Sequence, residues 1–140
     1  MFNDGTLAIV ELKWGTSSED RRIGLIEGLI YTAIVEANIA QIAREIRIAR
    51  QHAVKHNRPR ILLIAPPNYW SRQTNYPSSA DLAMLTRDIM SLIPIDIALL
   101  SLQNVDPFNV GLNGRPSTLL SPPILEYVIG AAERNLKIGG

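Results

Sequence analysis

The chain has 140 residues, 46% of them apolar, which suits one domain with a hydrophobic core and excludes global disorder. With 14 basic residues against 13 acidic ones the formal net charge is +1, so a surface for a polyanion must be a local patch. Cysteine is absent and no apolar run approaches ~18 residues, which excludes disulfide scaffolds, zinc-thiolate sites, cysteine nucleophiles and a membrane span.

Asp4-Gly5 is a turn signal of the hairpin type. Residues 6–13, TLAIVELK, read as a strand: mostly apolar, with several β-branched residues, and closed by Gly15-Thr16-Ser17-Ser18. Only residues 1–3 stand before the turn, so this strand has no evident hairpin partner. Ser17 with Asp20 three residues on forms an N-cap with a weak capping box. From Arg21 to about Asn57 the pattern is helical. Ile23, Ile26, Ile30, Ile34 and Ala37 form one stripe, which Ile39, Ile42, Ile46, Ala49 and Ala53 continue. Some 35 residues is long for one globular helix, so a bend is expected between Glu36 and Ala40.

Residues 60–65, RILLIA, read as a buried strand parallel to a neighbour. Residues 66–78 read as a loop rich in Pro, Asn, Ser and aromatics. Residues 79–92 read as a helix with Leu82, Leu85, Ile89 and Ile93 inward, ended by Pro94. Residues 95–102 are another apolar strand. Residues 104–116 read as loop with a turn at Asn113-Gly114, and residues 115–120 as a short edge strand. Ser121 then caps a last helix, with Pro122 in its first position and Ile124, Val128, Ala132 and Leu136 on one side. This alternation predicts an α/β fold with a mixed central sheet flanked by helices.

Chemistry concentrates at the end of the first strand. Alternation puts Leu7, Ile9, Glu11 and Lys13 on one face and Ala8, Val10 and Leu12 on the other. A carboxylate there can hold a hard divalent cation. An ammonium two residues on can orient or deprotonate a water and offset phosphate charge. The plainer alternative is an exposed charge pair where a strand leaves the sheet.

Asp4-Gly5, LAIVELK ending at Lys13, GTSSEDR, a helix bearing Glu27-Gly28-Leu29-Ile30-Tyr31, and then ILLIAPP occur in that order. This stretch resembles the PD-(D/E)XK nuclease superfamily, the restriction-endonuclease-like fold. In many members an Asp-Gly turn leads into an apolar strand ending Glu-x-Lys. A polar loop and a helix follow, with Gln-x-x-x-Tyr on that helix in one branch, and then a hydrophobic strand. Some members add a helix and a strand, matched by residues 80–92 and 95–102. The resemblance covers residues 4 to about 103 and rests more on element order than on any one residue.

The resemblance implies a single nuclease-like domain over residues 1–140, with its core at 4–103 and a C-terminal loop, edge strand and helix at 104–140. It implies hydrolysis of DNA phosphodiester bonds with Mg²⁺ or Mn²⁺, by an endonuclease or exonuclease. Glu11 and the Leu12 carbonyl become metal ligands, Lys13 acts on water or phosphate, and Glu27 and Tyr31 support them. Glu27 stands where the motif has Gln; a carboxylate there suits a metal or a basic partner and repels a phosphate. For Glu27 and Tyr31 the alternative is a polar pair one helical turn apart.

The superfamily's first metal-binding Asp sits on the strand before the hairpin and has no counterpart in residues 1–3. Either the chain is part of a longer protein, or a carboxylate from elsewhere or from a second subunit completes the site. Without that ligand the fold would serve as an inactive module for binding or oligomerisation. The open edge of strand 6–13 needs cover from residues 115–120 or a second copy, which makes a homodimer an expectation.

Other candidates are weaker. His52 and His56 have the i, i+4 spacing of helical metal ligands but no third partner, and read better as solvated. Arg44, Arg47, Arg50 and Arg58 form a possible phosphate-facing stripe, or a salt-bridged surface. Tyr69, Trp70 and Tyr76 either stack on bases, pin their loop to the core or mark a subunit interface. The N-terminus lacks a secretory pattern, so a cytoplasmic protein without a membrane partner is expected.

Overall fold

The computed structural model describes residues 1–2, 4–13, 19–71, 77–103 and 124–128. Four strands, β1 (Ala8–Leu12), β2 (Arg60–Ala65), β3 (Ile97–Gln103) and β4 (Ile124–Tyr127), form one sheet in that order. The first three run parallel, with Glu11 opposite Leu63 and Leu63 opposite Leu99; β4 is antiparallel to β3. The sheet is therefore mixed, as expected. β2 and β3 lie between other strands and are almost wholly buried, which is why they read as continuous apolar runs.

Among the described residues, α1 (Arg21–Ala37) and α2 (Ile39–Arg50) lie between β1 and β2, and α3 (Pro67–Ser71) and α4 (Ser79–Leu92) between β2 and β3. Stepping across the sheet through right-handed crossovers, the usual hand, puts α1 and α4 on one face. The larger core shows this directly. Leu25 of α1 and Leu82 and Ala83 of α4 meet Ile61, Leu63, Ile97 and Leu99. On the opposite face Leu62, Ile64, Ala98 and Leu100 pack with Phe2, Ala8, Leu125 and Tyr127, a cluster that draws on no helix among the described residues.

Asp4-Gly5 makes the expected turn. Phe2 and Gly5 close it through Gly5 N–H to the Phe2 carbonyl at 3.0 Å, and Asp4 Oδ1 accepts from Thr6 N–H at 2.9 Å. Gly5 has φ +85°, a left-handed conformation suited to glycine. The Thr6 amide holds the Asp4 carboxyl below its ordinary range, with lesser help from Lys55.

The long helix bends by 80° at Asn38, inside the expected window. It ends earlier than its pattern suggests. Gln51 adopts a left-handed conformation at the C-cap, Lys55 N–H donates to the Gly5 carbonyl, and Pro59 disfavours helix before it. His52 and His56 are thus exposed, non-helical residues, and the metal-ligand spacing read for them is not realised. The α1 N-cap is Asp20, which accepts from Arg22 N–H at 2.9 Å, rather than Ser17, which lies outside the described residues.

Three further expectations are corrected. The isoleucine stripe of α1 does not face the core: Ile26, Ile30 and Ile34 are 52%, 53% and 54% exposed, whereas Gly24, Leu25, Gly28 and Thr32 are buried. The sheet takes the side of the helix that permits closest approach. On α4, Leu82 is inward as expected, but Leu85 and Ile93 are exposed, and Ala83 and Thr86 take the buried positions. Around Ile124 the chain is a strand, not a helix. Leu125 and Tyr127 turn inward while Ile124 and Glu126 turn out, a period of two that four residues at helical spacing masked. Residues 115–120, read as an edge strand, lie outside the described residues, as do Ala132 and Leu136.

Glycine at position 28 sets how near α1 lies to β2, since a Cβ there would sit 2.7 Å from Ile61 Cγ2. Ile61 is fully buried and cannot give way easily. Gly28→Ala is expected to destabilise the fold by about 1–3 kcal/mol through overpacking, against the better helix propensity of alanine. Urea denaturation measures this; an unchanged or raised midpoint would show that the approach is not tight.

Candidate active site

In open α/β sheets ligands gather outside the carboxyl ends of parallel strands. At that end of β1, Glu11 and Lys13 project from the same face, toward α1. Lys13 leaves the strand with its N–H bonded to the Ile64 carbonyl at 3.0 Å. Gly24 of α1 lies directly over the pair: a Cβ there would meet Lys13 Cε at 2.8 Å and Glu11 Cγ at 3.6 Å. The absent side chain is what lets the lysine stem lie beneath the helix.

The ammonium meets three carboxylates. Lys13 Nζ is 3.0 Å from Glu11 Oε1, 2.7 Å from Glu19 Oε2 and 3.0 Å from Glu27 Oε2. Only 10% of the lysine side chain is exposed. Burial disfavours its charged form, but the bonds to Glu19, Glu11 and Glu27 outweigh burial and raise the pKa above the ordinary lysine value. Lys13 is therefore a fixed cation at neutral pH. In this arrangement it donates hydrogen bonds and offsets negative charge.

The structure brings Glu11, Lys13 and Glu27 together and adds Glu19, which sequence reasoning passed over. Its only signal was position, one residue before the helix cap. Tyr31, one turn beyond Glu27, is 49% exposed on the flank of α1. The arginines lie at the other end of the sheet. α1 runs from the site down to Glu36, where Arg58 forms a two-point ion pair at 2.9 and 3.1 Å. α2 follows beyond that point, with Arg44, Arg47 and Arg50 exposed. Arg50 and His52 line a groove with Phe2 and Ile46 beside the Asp4-Gly5 turn. These arginines therefore do not line the cleft that holds Glu11, and Arg58 is a structural pair, not a free phosphate contact.

Tyr69 and Trp70 are core residues, not stacking platforms. Both are buried on α3, their rings meet edge-to-face at 5.2 Å, and Trp70 Nε1–H donates to the Ala65 and Leu100 carbonyls. Tyr76 lies outside the described residues. Buried Arg21, at the start of α1, fastens this wall to the site. Its guanidinium donates to the Pro77, Tyr69 and Trp70 carbonyls at 2.7, 2.6 and 3.1 Å and lies 5.5 Å from the Tyr69 ring centre. Burial lowers its pKa. Nothing in the local pattern separated this arginine from its exposed neighbour Arg22.

At Lys13 three carboxylates converge on one positive charge. The occupant here is the ammonium. Among the described residues no three His, Cys, Asp or Glu side chains close around an open point that would hold a metal ion. A metal would have to displace Lys13 from Glu11 and Glu27. Also among the described residues, no single helix is long and apolar enough to cross a membrane. No protein-family profile, curated protein or solved structure matches this chain.

Two substitutions probe the scaffold. Arg21→Met should cost roughly 2–3 kcal/mol, since three carbonyls lose a charged donor, and thermal or urea unfolding reads the loss. Gly24→Ala should displace the Lys13 stem more than it destabilises the fold, because a flexible side chain can move aside. Faster labelling of Lys13 by an amine-reactive reagent, followed by mass spectrometry, is the expected signature; unchanged labelling would place the stem elsewhere.

Proposed function

We propose that this chain is a restriction-endonuclease-like domain that hydrolyses DNA phosphodiester bonds with a divalent metal ion. The observation that carries the reading is that Glu11 and Lys13 rise together from the carboxyl rim of β1 to meet Glu27 from α1. Glu11, with the Leu12 carbonyl, would hold Mg²⁺ or Mn²⁺. When bound, such an ion polarises phosphoryl oxygens and makes its water a better nucleophile. The protein's own contribution is the Lys13 ammonium, a donor that offsets charge on a phosphate as water adds and a P–O ester bond breaks. Glu27 orients that ammonium, and Tyr31 flanks it.

A second reading is favoured by one observation. With Lys13 neutralised by three carboxylates, the same fold serves as a non-catalytic module for binding or for pairing with a second copy. Among the described residues β1 is an edge strand, and Val10 and Leu12 are 49% and 66% exposed on it, which suits such a partner.

Plasmid nicking with Mg²⁺ or Mn²⁺ separates the two. The hydrolytic reading expects cleavage that falls at least about 100-fold in Glu11→Ala and Lys13→Ala, as for loss of a charge-stabilising group. Cleavage that is absent, or indifferent to both substitutions, leaves the binding module.

A further inference from the structure

We propose that the groove beside α2, at the end of the sheet remote from Glu11, binds a nucleic acid single strand through its phosphates and bases. Positive charge gathers there. Residues 44–60 hold six of the chain's 14 basic residues and one of its 13 acidic ones, in a chain whose formal net charge is +1. Three of the six are engaged within the fold: Lys55 with Asp4, Arg58 with Glu36, and Arg60 with Asp4 and Asp96. The other three, Arg44, Arg47 and Arg50, are exposed and meet no carboxylate among the described residues. Glu45, the acid beside them, accepts from Gln41 Nε2 at 3.0 Å.

Local folding makes this stripe one wall of a concave site. Gln51, left-handed at the α2 C-cap, reverses the chain, and residues 53–56 return beside the helix. Two contacts pin the returning chain to the approach to β1: Lys55 N–H donates to the Gly5 carbonyl at 2.9 Å, and Asn57 Nδ2 to Thr6 Oγ1 at 3.3 Å. Two concavities meet at Ala53. The larger, of about 880 Å³, is lined by Arg50, His52, Met1, Phe2 and Ile46; the smaller, of about 200 Å³, by Arg44, Arg47, Val54 and His56. Asp4 also lines the larger one, but it faces Lys55 and Arg60 at 3.4 and 3.5 Å. Arg44 and Arg50 are about 9 Å apart along the helix axis, the span of about three phosphates on a stacked strand. The arginines suit that backbone. The apolar and aromatic lining suits base faces, which a single strand exposes and a duplex hides. A flat bilayer fits this concavity poorly, and apart from Ile48 the exposed isoleucines that could enter a bilayer lie on α1, beyond the 80° bend.

Fluorescence anisotropy of a short labelled oligo(dT) with the full chain tests this, in EDTA so that no metal-dependent reaction at Glu11 enters the result. Affinity should fall about 15-fold between about 50 and 200 mM salt, a slope of about −2 for three phosphates on a single strand. Arg44→Gln, Arg47→Gln and Arg50→Gln should each reduce that slope by about 0.7, and the triple variant should abolish binding, with thermal melts establishing that each variant folds. Arg22→Gln, which removes the same charge from α1, should bind as the wild type does. An abasic strand of equal length should bind at least about fivefold more weakly. The proposal is overturned if the wild type does not bind, if the slope is indifferent to the three arginines, or if Arg22→Gln weakens binding as much as they do. It is also overturned if an abasic strand or a duplex binds as tightly, or if phosphatidylserine vesicles retain the chain and oligo(dT) does not, which makes the surface a membrane contact. Failure of plasmid nicking while oligo(dT) binds removes only the hydrolytic reading and leaves this groove standing.

Discussion

The close seat of α1 on the sheet governs the molecule. Two glycines one turn apart face the strands, and at each a methyl group would run into a neighbour: Ile61 below Gly28, the Lys13 stem below Gly24. At the first position the approach builds the core. At the second it builds the site. A helix held an ångström or two further out would leave Lys13 wetter and Glu27 short of its ammonium. Packing and chemistry are therefore set by one helix-to-sheet distance, and the small side of the helix matters more than its apolar side.

That explains which parts of the fold were legible in the amino-acid pattern. Strand alternation placed Glu11 and Lys13 together correctly, because one-in-two periodicity admits only two faces and the flanking residues are unambiguous. The buried parallel strands were legible as unbroken apolar runs, and the bend at Asn38 as a limit on helix length. The orientation of α1 was not. Four isoleucines at helical spacing look like a core stripe, and hydrophobicity alone ranks them above glycine and threonine. What decides the packing side is how near two backbones can come, and a single amphipathic reading does not carry that term. The misread segment at Ile124 has a similar origin. Four residues cannot distinguish a period of two from one of 3.6, and the hydrogen bonds from β3 decide it.

The site was half legible for a related reason. Glu11, Lys13 and Glu27 occupy regular elements, where spacing predicts direction. Glu19 and Arg21 work at the junction where chain enters helix, outside regular spacing, and the partners of Arg21, the carbonyls of Tyr69, Trp70 and Pro77, are distant in sequence. The arginines of α2 stand apart from this site. They form a regular stripe, but α1 has already run to the opposite end of the sheet before α2 begins.

The isoleucines turned away from the sheet have a colloidal consequence. They make a greasy ridge along the outer side of α1 in a protein whose charges almost cancel, at a formal +1. Long-range repulsion between molecules is then too weak to keep such ridges apart, and added salt has little left to screen. Crowding, rather than ionic strength, becomes the variable that governs whether these molecules stay dispersed.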